Sequence, residues 1–156
     1  MFISRIVEDE EQVRRIRIEL VCNLTMLSEI YVYLRSRSKY YPYLNFVDIQ
    51  RFFLTDLGAG SKDMLLKATI HNFCLETCVQ GAQATGEKLD DRYLLRHQFF
   101  EVMIRMAIYM YCNQSRLNFD SRFDTFKAYD TLTPSRAWYM FLNHKLKPFY
   151  ERNEDI

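Results

Sequence analysis

Apolar residues recur at intervals of three and four along most of the chain, and this spacing predicts α-helices. Only four glycines and three prolines interrupt the pattern. Across residues 10–34 the apolar positions form a single stripe, which predicts one long first helix. The stripe consists of Val13, Ile16, Leu20, Leu24, Leu27, Ile30, Tyr31 and Leu34. The fold class predicted from this pattern is all-α.

Polar or glycine-containing segments separate the helices that follow. A second helix is predicted over residues 44–54, and a third from Ser61, a suitable N-cap, to about Val79. Residues 81–91 are polar and predict a loop. The fourth predicted helix, residues 95–112, is apolar over most of its surface, so we expect it to be central and largely buried.

The C-terminal part of the chain predicts two further helices. The first covers about residues 122–129. The second opens at Thr133-Pro134-Ser135 and runs toward Tyr150, since proline is favoured in the first turn of a helix. Pro148 is predicted to break the end of this last helix.

Composition supports one folded domain and narrows the choice of partners. The chain has 156 residues, of which 49% are hydrophobic and 15% aromatic, so it can bury a core as a single domain spanning residues 1–156. Its net charge of +1 argues against nucleic acid and anionic membranes as partners. Acidic residues at 8–11 and the lack of a long apolar run argue against a secretory signal and a membrane span, so we expect a cytoplasmic protein. In that compartment the cysteines are expected to be reduced.

The sequence contains none of the strong enzyme motifs, so we expect a non-enzyme without cofactors. An alternative is a zinc site on one helix face at His71, Cys74 and Cys78, with His97 as a possible fourth ligand. The favoured explanation of the same spacing is that Cys74, Cys78 and Phe73 simply face the core, since free cysteine is among the most buried residue types. Glu101 and Arg105, four residues apart, predict a helix-supporting ion pair on a partly solvated face.

Tyrosines concentrate in the segment between the first two predicted helices. They alternate with cations, and such a mixture is typical of a protein-binding surface, although an ordinary amphipathic loop remains an alternative. The segment contains Arg35, Arg37, Lys39, Tyr40, Tyr41 and Tyr43. Trp138-Tyr139 and Phe149-Tyr150 are further candidates for partner-facing anchors, and burial in the core is the alternative for each.

Two helix-loop-helix units with loops of about twelve residues resemble the plan of a paired EF-hand. With Arg37 at loop position one, Leu44 falls at position eight, where a short inter-loop β-bridge requires an apolar residue. A second loop that starts at Glu87 places Leu94 at the same position, with Gln98 at position twelve.

Residues 94–107 resemble the Phe-x-Glu-x-x-x-Arg-x-Ala helix of divergent EF-hand-like proteins of cilia and flagella. Residues 146–150 resemble the Leu-x-x-x-Tyr element of the same family. The resemblance implies one unit over about residues 10–55, another over about 61–112 and a helical extension over about 117–152. It further implies a structural or adaptor subunit of the ciliary axoneme or another microtubule-associated assembly, with tubulin or axonemal proteins as partners.

The calcium chemistry of the family does not carry over to this sequence. Calcium requires oxygen ligands around the loop, with a bidentate carboxylate at position twelve and glycine at six. The first loop has Arg37 at position one, Lys39 at three and Pro42 at six, and the second has Gln98 at twelve. We therefore expect both loops to bind no metal. A calcium-responsive sensor with a Met-rich groove on the fourth helix, and a small zinc protein, are the alternatives.

Overall fold

The computed structural model of the protein describes residues 3–58, 64–85, 93–112 and 132–156, with only the backbone described at 81–85. These residues are mostly helical, in agreement with the predicted all-α class. The predicted helix at 122–129 and the predicted cap at Ser61 lie outside the described residues, so the structure does not test them.

The first half of the chain begins with a 3₁₀ turn, Ile3–Arg5, which is followed by helices α1 (Glu10–Cys22) and α2 (Leu24–Ser36). A short strand, β1 (Leu44–Asn45), leads directly into helix α3 (Phe46–Arg51). Helix α3 continues without a break into a π-helical turn, Phe52–Asp56. The second predicted helix is therefore present, with a wider turn at its end.

The second half contains the long helix α4 (Met64–Thr85), strand β2 (Tyr93–Leu94) and helix α5 (Arg96–Cys112). Helix α6 (Pro134–Phe141), a π-helical turn (Leu142–Leu146) and helix α7 (Lys147–Arg152) follow each other directly.

Helix α6 begins where the sequence predicts, with the Thr133 hydroxyl accepting a hydrogen bond from the Arg136 N–H. Pro148 lies in the first turn of α7, and the helix continues past it to Arg152, so the predicted break there is wrong.

The first helix differs from the prediction because it is divided at Asn23. The backbone of Asn23 has φ −112° and ψ 13°, and its side-chain amide donates to the Glu19 carbonyl oxygen at 2.8 Å. Asparagine side chains compete for backbone hydrogen bonds in this way, so the residue ends α1 and starts α2. Helix α4 also extends beyond its predicted end, because residues 81–85 continue the helix.

Helix α5 lies at the centre of the core, as its apolar run predicts. Every side chain from Phe99 to Ala107 is buried, and α5 packs against both α4 and α6. Aromatic rings join α5 to neighbouring elements. The Phe52 ring centroid lies 6.5 Å from that of Phe99 and 5.1 Å from that of Phe149. The core therefore connects the π-helical turn after α3 and helix α5 with the C-terminal helices.

Candidate functional site

The short strands β1 and β2, which precede α3 and α5, lie side by side. Strands β1 and β2 pair antiparallel, with Leu44 opposite Leu94 and Asn45 opposite Tyr93. Both leucines are buried. The two positions that the sequence assigns to an inter-loop bridge are thus directly opposite each other, and the bridge couples the two units.

Hydrogen bonds from protein groups close the first loop. The buried carboxylate of Asp48 accepts from the Ser38 hydroxyl at 2.6 Å and from the Asn45 backbone N–H at 2.9 Å. Its other oxygen accepts from the Arg51 guanidinium at 3.2 Å. Ser38 lies ten residues before Asp48, so this bond draws the two ends of the loop together.

The second loop repeats part of this arrangement fifty residues later. The Gln98 side-chain oxygen accepts from the Leu95 backbone N–H at 2.8 Å, as Asp48 accepts from Asn45. A helix begins directly after each of these N–H groups, α3 in the first unit and α5 in the second. The two units therefore share one local geometry, in which a neutral amide replaces the carboxylate in the second.

A buried tyrosine connects the bridge to the core. The Tyr31 hydroxyl on α2 donates to the Leu94 carbonyl oxygen at 3.0 Å, and its ring centroid lies 5.6 Å from that of Phe99. Burial raises the pKa of Tyr31, and the nearby cations Arg35 and Arg96 partly offset this effect. The bond fixes the position of β2 relative to α2.

Three exposed tyrosines of the first loop and the partly buried tyrosine of β2 form a surface that we call the tyrosine surface. It consists of Tyr40, Tyr41, Tyr43 and Tyr93. The first three are 48%, 66% and 54% exposed. The Tyr93 ring centroid lies 4.8 Å from that of Tyr43 and 6.3 Å from that of Tyr40, so the two loops contribute to one cluster. Tyr93 is the member that the sequence analysis did not select, and its place beside Leu94 in the bridge is the signal that could have identified it.

Two arginines near the end of α2 contact tyrosine rings of the same helix. The Arg35 guanidinium lies 5.5 Å from the Tyr31 ring centroid, and that of Arg37 lies 5.2 Å from the Tyr33 ring centroid. Arg37 also donates a hydrogen bond to the Tyr33 hydroxyl. Lys39 follows in the first loop, so cations and tyrosines alternate in this segment, as the sequence indicates.

Trp138 is not a surface anchor, which corrects one of the candidate partner contacts. Its side chain is fully buried, and its ring lies 6.1 Å from that of Phe141, nearly parallel to it. The helical spacing of Trp138, Phe141 and Leu142 could have indicated this burial.

Tyr150 is partly buried, and its hydroxyl donates to the Glu29 carboxylate at 2.5 Å, which joins α7 to α2.

The predicted solvated face at Glu101 and Arg105 is wrong, because both side chains are buried. Arg105 reaches across to α4, where it lies 3.2 Å from the Glu76 carboxylate and donates to the Gln80 side-chain oxygen at 2.7 Å. The arginine therefore joins two helices.

The zinc candidate residues lie in different environments. His71 is exposed and packs edge-on against Phe46, whereas Cys74 is fully buried. Burial raises the pKa of the Cys74 thiol, which disfavours the thiolate that zinc requires. The Cys78 thiol points to the Tyr93 carbonyl oxygen at 3.7 Å, and His97 is exposed on α5. Across the described residues, no group of three or more His, Cys, Asp or Glu side chains is arranged to hold a metal ion.

Within the described ranges, no helix combines the length and the apolar character needed to cross a bilayer. Comparisons with protein-family models, with curated proteins and with solved structures gave no match for this chain.

Proposed function

We propose that this chain is a non-enzymatic structural or adaptor subunit of a cytoskeletal assembly, either the ciliary axoneme or another microtubule-associated complex. In this proposal a calcium-independent, EF-hand-like pair of helix-loop-helix units forms the scaffold, and partner proteins bind its surface. The observation that carries the proposal is the bridge at Leu44 and Leu94, together with a first loop closed by Ser38 and Asp48.

The proposed independence from calcium is supported by the residues at the ligand positions of the two loops. In the EF-hand frame, Asp48 stands at the position of the bidentate ligand, but protein donors already occupy its oxygens. Arg37 and Lys39 would repel a divalent cation at positions one and three. In the second loop the ligand position holds the neutral amide of Gln98, which caps Leu95 instead. The scaffold is therefore complete without an ion.

The tyrosine surface supports the assignment of a binding role. Tyrosine and arginine are enriched among the residues that dominate binding energy at protein interfaces. Here the rings stand on a loop pair held by the bridge and by the Ser38 bond. A surface that is ordered before binding loses less conformational entropy when a partner docks.

The cytoskeletal assignment rests on the resemblance carried by α5. The four residues that match the family pattern are Phe99, Glu101, Arg105 and Ala107, and all four are buried. This burial agrees with a motif that maintains the scaffold, and it leaves other surfaces for partners. Tubulin and axonemal proteins are the partner classes that the resemblance implies.

A calcium-responsive sensor is the alternative function. Such a sensor buries its methionines in the closed state and exposes them in a groove when calcium binds. Met103 and Met106 on α5 are fully buried, which a closed sensor shares with a scaffold, so the argument against a sensor is the presence of Arg37 and Lys39 at ligand positions of the first loop. Isothermal titration of the chain with Ca²⁺ separates the two functions. We expect no binding heat and an unchanged circular dichroism spectrum, whereas micromolar binding would establish the sensor and overturn the scaffold.

Partner binding can be tested by co-sedimentation with polymerised microtubules and by proximity labelling of the tagged chain in ciliated cells. We expect recruitment of the wild-type chain and its loss when Tyr40, Tyr41 and Tyr43 are all replaced by alanine. Val21→Ala is the control, because Val21 is also exposed, at 69%, but lies on α1. A wild-type chain that labels no cytoskeletal protein and does not sediment would refute the cytoskeletal role.

A further inference from the structure

Thr133 is the only serine or threonine of the chain that a proline follows directly. The three prolines are Pro42, Pro134 and Pro148, and they follow a tyrosine, Thr133 and a lysine. Arg136 is the third residue after Thr133. A hydroxyl residue followed by proline, with a basic residue at the third place after it, is the sequence that many proline-directed protein kinases modify. The chain therefore contains a single sequence of this kind.

The structure presents the Thr133 side chain to a kinase. Thr133 immediately precedes α6 and is exposed, and its backbone is extended at φ −73° and ψ 156°, as is usual for a residue before proline. Kinases bind the residue that they modify in such an extended conformation. The Thr133 oxygen accepts from the Arg136 N–H and lies beside the Ser135 hydroxyl, both at the long distance of 3.4 Å. Ser135, by contrast, is buried, so Thr133 carries the accessible hydroxyl of the two.

A cleft between α1 and the start of α6 adjoins Thr133. Its volume is about 490 Å³, and Arg15 and Glu19 of α1 line it together with Thr133 and Arg136. The Arg136 guanidinium lies 5.1 Å from the ring centroid of Tyr139, which lines the same cleft. Two arginines, one from each helix, therefore border the space that a group attached to Thr133 can occupy.

We propose that Thr133 is a phosphorylation site for a proline-directed protein kinase, and that Arg15 and Arg136 contact its phosphate in the cleft between α1 and α6. The Thr133 oxygen attacks the γ-phosphorus of ATP, so that a new oxygen–phosphorus bond forms. The bond from that phosphorus to the β,γ-bridging oxygen breaks, ADP leaves, and the hydroxyl proton passes to the catalytic aspartate of the kinase. This inference does not depend on the proposed cytoskeletal role.

The chemistry of the cleft agrees with this modification. A phosphate ester carries a charge of about −1.5 to −2 at pH 7 and accepts paired hydrogen bonds from guanidinium groups. The Arg15 side chain now binds Glu11 at 2.9 Å. Arg14 binds both oxygens of the same carboxylate, at 3.0 and 2.8 Å, so Glu11 keeps a partner when Arg15 turns to the phosphate. Glu19 opposes the phosphate with one negative charge. A phosphate held by Arg15 and Arg136 joins α1 to α6.

The first test incubates the full-length chain with a cyclin-dependent kinase and ATP, followed by mass spectrometry of its tryptic peptides. We expect one phosphate per chain, on Thr133 and not on Ser135. Pro134→Ala should abolish the labelling, although it keeps the hydroxyl and places a good helix former in α6. Thr133→Ser should still be labelled, because serine also caps a helix. Circular dichroism checks that each variant is folded. An unlabelled wild-type chain, or equal labelling of Pro134→Ala, would overturn the site.

Phosphorus NMR of the phosphorylated chain then tests the arginine contacts. The second pKa of a free phosphate ester is about 6, and contact with guanidinium groups should lower it by stabilising the dianion. Arg15→Gln and Arg136→Gln should each raise this pKa toward that of the free ester. Arg14→Gln is the matched control, because Arg14 also binds Glu11 but is not one of the described residues that line the cleft. A phosphate with the pKa of the free ester, or an equal effect of Arg14→Gln, would overturn the arginine contacts.

Thermal unfolding measures the link between the two helices. The phosphorylated chain should melt about 2–4 °C above the unmodified chain, the shift that a modest gain in stability produces in a domain of this length. Arg15→Gln should remove most of that rise, whereas Arg14→Gln should leave it in place. A phosphorylated chain that melts at or below the temperature of the unmodified chain would overturn the proposal that the phosphate joins α1 to α6.

Discussion

Replacement of Asp48 by alanine tests how the first loop is held closed. The substitution removes the acceptor for the Ser38 hydroxyl and the Asn45 N–H, which belong to residues only 8% and 5% exposed. Leaving a buried polar group without a partner costs about 1–3 kcal/mol. Loss of the half-exposed Arg51 pair adds less than about 1 kcal/mol. We expect Asp48→Ala to lower the free energy of unfolding by about 2–5 kcal/mol.

The change in the free energy of unfolding is measured by urea denaturation. The transition is monitored by far-ultraviolet circular dichroism and by the fluorescence of Trp138, the only tryptophan. Gln98→Ala is the matched control, because Gln98 stands at the equivalent place in the second loop and, among the described residues, accepts only from the Leu95 N–H. Gln98→Ala should lower the free energy of unfolding by about 0.5–2 kcal/mol, as the loss of a helix N-cap does. A double-mutant cycle with Ser38→Ala should give a coupling of about 0.5–3 kcal/mol, since the two side chains are in direct contact.

Two results would refute the reasoning on the loop. If Asp48→Ala lowers stability by less than about 0.5 kcal/mol, the carboxylate does not hold the loop together. If millimolar CaCl₂ raises the stability of the wild-type chain but not that of the variant, Asp48 serves as an ion ligand, and the calcium-independent scaffold is wrong.

The other predictions concern the core, an exposed ion pair and the thiols. Phe52→Ala should lower the free energy of unfolding in urea by about 3–5 kcal/mol, because Phe52 is fully buried. Val47→Ala should lower it by less than about 0.5 kcal/mol, because the Val47 side chain is 61% exposed. Similar losses for both variants would contradict the described core. Hydrogen bonds from two arginines lower the pKa of Glu11 to about 2, so their stabilisation is present above pH 4.5 and disappears as the pH falls toward 2. The difference in Tm between wild type and Glu11→Gln should shrink over that range, and a difference that grows would be inconsistent with the pair. Ellman's reagent should modify the exposed Cys22 in the native state and the buried Cys74 only in urea, and mass spectrometry of the labelled peptides decides which thiol reacts first.

Local patterns in the sequence predicted the helices and the bridge positions well. The apolar run of α5 is dense enough to require burial wherever the helix lies, and the whole stretch from Phe99 to Ala107 is buried. Leu44 and Leu94 could be identified because each occupies the same place in a loop of similar length. The exposure of Tyr40, Tyr41 and Tyr43 also agrees with their position in a polar segment.

Contacts between distant residues could not be read from these patterns. The Glu101 and Arg105 spacing suggested a pair within one helix, yet Arg105 binds Glu76 on α4, and only the packing of the two helices determines that choice. The division at Asn23 depends on a side-chain bond to a backbone carbonyl, which periodicity does not reveal. Trp138 was ambiguous because aromatic residues are common both in cores and at interfaces.

Helix α6 packs against both α1 and α5, and the Ser135 N–H donates to the Gln12 side chain at 3.0 Å, across 123 residues of sequence. During synthesis on the ribosome, α1 emerges first, and the face that α6 later covers remains open to solvent until the chain has grown past residue 141. Contacts of such long sequence separation slow folding and prolong the exposure of apolar surface. The apolar face of α1 therefore stays uncovered through most of the synthesis of the chain, and only the docking of α6 covers it.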